Sequence, residues 1–139
     1  MDHIAILSKQ SKLLDKILSG KKTIESRWSK HKIAPFGRIS AGDTIYLRET
    51  GSPVVGKARA GRVEFYQDLT DERIEKLLKQ YGTQLGVGIE YAKQLRGRLY
   101  CTLIHLTNIE RITPFKVNKA GYAIASGWMI VKNINTVKL

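Results

Sequence analysis

The stretch Arg98–Leu106 holds Leu99, Tyr100, Cys101, Thr102, Leu103 and Ile104, a run apolar on both faces that a strand would present. A strand with one wet face alternates apolar and polar residues; a strand that does not alternate is covered on both sides. The run therefore predicts a central, buried strand, with other strands beside it. The remaining elements are read relative to it.

Ile4–Leu7 is a short apolar run and predicts a second buried strand. From Lys12 to Ser19 the apolar residues Leu13, Leu14, Ile17 and Leu18 share one helical face, with Lys12, Asp15 and Lys16 on the other. Ser8 or Ser11 is expected to cap this helix, and Gly20 to end it in a left-handed conformation. Thr23–Trp28 reads as a strand with Thr23, Glu25 and Arg27 on one face and Ile24, Ser26 and Trp28 on the other. Ser29–Ser40 is polar and basic, an exposed loop. Thr44–Glu49 is a strand with Ile45 and Leu47 toward the core and Tyr46 and Arg48 away from it. Val54–Tyr66 is a long strand whose apolar phase changes at Gly61, as at a bulge or barrel corner.

An acidic segment follows. Asp68 or Thr70 is expected to cap a helix over Asp71–Tyr81, with Ile74, Leu77, Leu78 and Tyr81 on one face, ended by Gly82. Thr83–Leu95 predicts a second, weaker helix. After the central strand, Thr107–Thr113 carries the chain out, Asn118–Ser126 holds two glycine-bordered turns, and Gly127–Val131 is a closing strand. About six strands with two or three helices predict an α+β fold, a small mixed β-barrel with flanking helices, formed by one domain over residues 1–139. No apolar run approaches the roughly 20 residues that span a bilayer. Met1–Leu7 lacks the basic and long apolar regions of a signal peptide, so a cytoplasmic protein with no membrane partner is expected.

Charge narrows the function classes. The 139 residues carry a net charge of +12. Residues 1–62 hold 13 Lys/Arg against 5 Asp/Glu, residues 63–90 hold 3 against 6, and residues 91–139 hold 8 against 1. The two ends of the chain are basic and the helical insert between them is acidic. If the ends pair in one sheet, their cations share a surface that attracts a polyanion, and nucleic acid is the usual one. The alternative is solubility alone, in a protein-interaction module. The single cysteine, Cys101, cannot form an internal disulfide, and His3, His31 and His105 are scattered. No metal site and no cofactor is expected.

The densest chemistry lies in Gly20–Trp28, which packs Lys21, Lys22, Arg27, Glu25 and Trp28 into nine residues at a helix-to-strand junction. Two readings stand. Glu25 could neutralise Lys22 and Arg27 as a structural ion-pair set, since buried charges need partners. Alternatively the three line a ligand site, with Arg27 as a planar fork for phosphate and Lys22 as a point charge. Both can hold together. For RNA, Lys30, Lys32, Arg38, Lys57, Arg59 and Arg62 are candidate phosphate contacts, and Trp28, Tyr46, Tyr66, Tyr122 and Trp128 are the aromatics nearest basic stretches.

Gly20-x-Lys22-x-x-Glu25-x-Arg27, after a short helix and before a β-rich body, resembles the signature of the ASCH domain, a family of the PUA-like superfamily. Length, strand order, helical insert and apolar C-terminal strand also agree, so the resemblance covers nearly the whole chain. It implies a pseudo-barrel with a cleft beside the motif and a role in RNA metabolism, with RNA or a nucleotide as partner. Some small members resemble hydrolases, either acetylcytidine amidohydrolases or ribonucleases. In the amidohydrolase group the lysine of Gly-x-Lys is catalytic, which falls on Lys22. That group has a threonine three residues later, where this chain has Glu25. Its further glutamate lies in the helical insert, where Glu90 is one candidate. Metal-free hydrolysis would make Glu25 or Glu90 the base and Lys22 the oxyanion's partner. Tyr46, Lys57 and Ser126 are candidate contributors to a ribonuclease.

Overall fold

The computed structural model describes residues 1–124 and 127–139. In chain order the elements are β1 (Asp2–Leu7), α1 (Leu13–Leu18), β2 (Ile24–Ser29), β3 (Thr44–Glu49), β4 (Val54–Tyr66), α2 (Asp71–Leu85), α3 (Ala92–Leu95), β5 (Tyr100–Phe115) and β6 (Trp128–Val131). The strands form one sheet in the order β2-β5-β4-β3-β1-β6. Only β1 and β3 run parallel; every other neighbouring pair is antiparallel. The sheet curls into a half-barrel, the α+β PUA-like architecture expected from the sequence.

The strand apolar on both faces is β5; it is interior and covered on both sides, but it lies next to the edge strand β2, with β4 on its other side, and not mid-sheet. Ile104 and Leu106 pack into the barrel interior with Ala5, Ile17, Ile45, Leu47 and Trp128. Cys101 and Leu103 pack against Leu77 and Tyr81 of α2. That two-sided cover explains why the run never alternates. The strand is also longer than its apolar part. Thr107–Thr113 stays in β5 and pairs with the start of β4, as in Gly56 with Arg111. Register shifts absorb the mismatch along β4, one of them between Ala60 and Val63. Gly61 sits there because a Cβ would lie 3.1 Å from the His105 carbonyl oxygen. The bulge read from the phase change is real.

Several local expectations are corrected. No serine caps α1: Lys12 occupies the N-cap with φ 55° and no side-chain bond, and Ser11 Oγ instead donates to the Ser8 carbonyl. Of the two candidate caps for α2, Thr70 accepts from the Arg73 N–H at 3.2 Å. Gly82 does not stop α2, which runs to Leu85 and ends at the left-handed Gly86. The weaker helix after it is only a 3-10 turn at Ile89–Tyr91 followed by α3. The outer face of β3 is covered: Tyr46 packs edge-on to Phe115 at 6.0 Å, and Arg48 is buried. The chain's basic ends do meet, since β1 pairs with β6 from Asp2–Val131 to Ala5–Trp128.

Candidate functional site

The Gly20–Trp28 stretch leads from the end of α1 into the edge strand β2, which faces the gap between the sheet's two ends. Gly20 takes φ 82° and turns the chain out of α1. The Thr23 N–H then donates to Gln84 O, tying the start of this strand to the end of α2. Lys22 passes inward beneath that junction. Its Nζ donates to Ile24 O and Leu85 O, both at 2.7 Å, and lies 3.5 Å from Glu25 Oε1. Three directions are thus filled, matching the three protons of an ammonium. Lys22 and Glu25 are each 2% exposed.

Glu25 accepts from the Ser26 N–H at 2.9 Å and from Arg27 Nη2 at 3.3 Å. Burial opposes its charge, but Lys22, Arg27 and the Ser26 N–H outweigh burial and hold its carboxyl below the ordinary value. Burial lowers the Lys22 ammonium more than Glu25 raises it, so its proton is held less tightly than usual.

Arg27 reaches across the gap. Nη1 donates to Gly127 O at 3.3 Å, Nη2 to Ile6 O at 3.2 Å, and the guanidinium carbon stands 5.2 Å from the centre of the Trp128 ring. One side chain thereby joins β2 to β1 and to the entry of β6, and closes the seam of the half-barrel. Trp128 is itself fixed: its Nε1 donates to His3 Nδ1 at 3.0 Å, and His3 Nε2 meets Asp43 Oδ2 at 2.9 Å. Burial is the main reason that His3 is held below its ordinary value, and the indole donor requires an unprotonated Nδ1.

A cleft of about 630 Å³ opens at this seam. Glu25, Ser26, Arg27 and Trp28 floor it, Ser8 and Ser11 of the β1–α1 turn form one wall, and Tyr91, Gln94 and Arg98 of the insert form another, with Lys16 at its edge. Arg98 Nη1 donates to Trp28 O at 3.2 Å, and Lys16 Nζ to Gly86 O at 3.0 Å. Burial, then the Glu25 charge, pushes the Tyr91 phenol up, so it stays a neutral donor. The Trp28 indole donates to Ser26 Oγ at 2.9 Å, and only 7% of the residue is exposed.

Of the sequence-predicted site residues, the cleft collects Glu25, Arg27 and Trp28; Lys22 lies behind its floor. Glu90 lines an adjoining hollow of about 430 Å³ that shares Lys16, Gly86, Tyr91 and Gln94 with the cleft. Lys32 and Arg38 line a separate groove beside Trp128, and Lys30 is exposed in the same loop. Lys57 and Arg59 line a small hollow with Glu110, which pairs with Lys57 at 3.3 Å. Tyr46 is the register partner of Lys57 and does not line the cleft. Arg62 joins Glu64 and His105 on the outer face. Ser126 lies outside the described residues. Sequence reasoning missed Lys16, Tyr91, Gln94 and Arg98. Arg98 reaches the cleft because the next residue, Leu99, donates its N–H to Ser29 O of β2, a pairing no local pattern announces.

No family model and no curated protein matches this sequence. Solved structures do. The ASCH protein from Zymomonas mobilis is 17% identical and superposes with a TM-score of 0.70 over 97% of this chain and 91% of that one. A tyrosine-to-phenylalanine variant of the same protein gives 0.71, over 97% and 93%. A hypothetical protein at 21% identity gives 0.51, over 81% of this chain and all of that one. At such identities the likeness concerns the fold, and the fold of this chain is that of an ASCH domain.

Proposed function

We propose that residues 1–139 act as one ASCH-type domain that binds RNA or a nucleotide in the seam cleft, within RNA metabolism. The observation that carries this reading is the meeting of Arg27 with Arg98, Lys16 and Tyr91 around one cleft of about 630 Å³. That volume suits a small ligand or one residue of a polymer. Arg98 and Lys16 each spend a donor on a carbonyl and keep others for phosphate oxygens. Tyr91 supplies a ring for a base and a phenolic donor, and the ionised Glu25 an acceptor for an exocyclic amino group. Lys22 serves behind the floor, holding Glu25 charged and the insert in place. The net charge of +12 supplies long-range attraction.

Affinity for mixed-sequence single-stranded RNA and for nucleoside monophosphates, measured over a salt series, tests this. Log affinity should fall linearly with log salt, by about 0.7 per phosphate contacted. Arg98→Ala should weaken binding by about tenfold, the scale of one charge-assisted contact. Absent or salt-insensitive binding overturns the proposal.

A second reading, hydrolysis of a modified nucleoside, draws on the buried Lys22, whose proton is held less tightly than usual, 3.5 Å from Glu25. For acetylated cytidine, water activated at Glu25 would add to the acetyl carbonyl, and cleavage of the C–N bond would release acetate and cytidine. Glu25→Gln should abolish turnover, in the presence of chelator as in its absence; no turnover by the unaltered chain ends this reading.

A further inference from the structure

A second groove, of about 670 Å³, runs between the basic loop at residues 30–38 and β6. Its lining includes Lys32, Phe36, Arg38, Trp128 and Ile130, and among the described residues no carboxylate lines it. Among the described residues no ion pair engages Lys32 or Arg38, and both are exposed. Cations on folded surfaces are commonly interspersed with acids; here they are gathered without them. The Phe36 ring is held in place, standing edge-on to Phe65 at 5.3 Å and to Tyr100 at 5.1 Å. Lys32 Nζ lies 5.8 Å from its centre. The opposite wall is equally fixed, because Trp128 is bonded to the buried His3. A held aromatic ring flanked by exposed cations is what a groove needs to stack a base and contact its phosphate.

The groove and the cleft are linked by a contact between one lining residue of each. Arg27 lines the cleft, Trp128 lines the groove, and the guanidinium carbon stands 5.2 Å from the indole centre. We infer that the groove of Lys32, Phe36, Arg38 and Trp128 is a second nucleotide subsite, and that the ligand is single-stranded RNA laid across the seam. This rests on the nucleotide reading of the cleft and adds its strandedness and minimum length. Two concave hollows side by side can each take an unstacked base; a duplex keeps its bases stacked and paired and is recognised by its shape and backbone.

Titration calorimetry with a mononucleotide, a dinucleotide, a tetranucleotide and a duplex of the same sequence tests it. The tetranucleotide should bind at least about tenfold tighter than the mononucleotide, as one added stacked base and phosphate allow. The duplex should bind no better than the mononucleotide. In Lys32→Ala/Arg38→Ala the length gain should vanish, and the salt slope for the tetranucleotide should become shallower by about 1.4. Both residues are exposed, so the variant should fold; Phe36→Ala gives an independent check on stacking. Equal affinity for all lengths, a gain that survives the double variant, or preference for the duplex overturns the second subsite while leaving the cleft intact. Failure of every RNA and mononucleotide to bind overturns the cleft reading and this inference together.

Discussion

Lys22 and Glu25 are the residues at which charge and burial conflict most sharply. Each is 2% exposed, yet both are ionisable and they face one another at 3.5 Å. Removing one partner of a buried pair costs about 3–5 kcal/mol, mostly because the other charge is left uncompensated. Lys22→Met keeps most of the volume and removes only the ammonium. Chemical denaturation should show a loss in that range, and Lys22→Met/Glu25→Gln should recover part of it. Equal stability of Lys22→Met and the unaltered chain would show the pair to be dispensable. The pH dependence follows from the same residues. Glu25 titrates below 4.5 when folded and near 4.5 when unfolded. Between the two values the unfolded chain binds the extra proton. The stabilisation is therefore fully present above about 4.5 and is lost as pH falls through the folded value. Glu25→Gln should flatten that acid limb in a denaturation series. Lys22 acts with the same sign at high pH: held below 10.5 when folded, it leaves the extra proton on the unfolded chain and makes stability rise as pH climbs toward 10.5. The sequence announced this pair through its Gly-x-Lys-x-x-Glu spacing, and the ion-pair reading and the ligand-site reading share one geometry. What it hid was the partner of Lys22. The Leu85 carbonyl is 63 positions away, in a segment whose helix end the glycines obscured.

That obscured end belongs to the element scale. Gly82 and Gly86 both follow apolar helical positions, so each reads as a stop. The difference lies in Leu85, four residues after Tyr81 and on the same stripe as Ile74, Leu77 and Leu78. Burying Leu85 carries the helix past Gly82. Glycine is still useful there, since a Cβ would sit 3.1 Å from Val87 O, whose residue also donates its N–H to Gly82 O. Gly86 takes φ 75°, and a Cβ on it would lie 3.4 Å from both Lys16 Cδ and Lys22 Cβ. Gly86→Ala should therefore destabilise by about 1 kcal/mol or more, through left-handed strain alone, whereas Gly82→Ala trades better helix propensity against one tight contact. At the other end Thr70 caps the helix through a single bond, and Thr70→Ala should cost about 1 kcal/mol. Thermal melts of the two alanine variants at Gly86 and Thr70 check both figures; no loss in either would mean that tertiary packing alone fixes the limits of α2. The strands were more legible than the helices. Two-sided apolarity marked β5 as covered on both faces, though it lies next to the edge strand and not mid-sheet, and the phase change at Gly61 marked a bulge, because both signals are local. The length of β5 was not legible, since Thr107–Thr113 is polar and becomes strand only by pairing with β4.

At the scale of the molecule, the order β2-β5-β4-β3-β1-β6 leaves two strand ends facing each other, and an open sheet edge needs covering. The covering device is the Arg27 side chain, which ties β2 to Ile6 and Gly127 while Ile6 N–H donates to Gly127 O. A guanidinium suits this role because its fixed fork serves several carbonyls at once; an ammonium at the same place is a point charge on a floppy stem. Arg27→Lys keeps the charge beside Glu25 and loses the fork. It should cost about 1.5–3 kcal/mol, the range for hydrogen bonds to charged groups. The loss should also be local in character. Amide hydrogen exchange should quicken at Ile6 and along β6, while the β3–β4 ladder, midway between the two edges in strand order, exchanges only through the less stable global unfolding. Exchange that rises evenly across the sheet, or not at all, would remove Arg27 as the closure. A local rise would tie stability to function through one residue: the contact that shuts the barrel joins a residue lining the cleft to one lining the groove. Weakening it should then lower affinity for a strand that spans both hollows more than for a ligand confined to one.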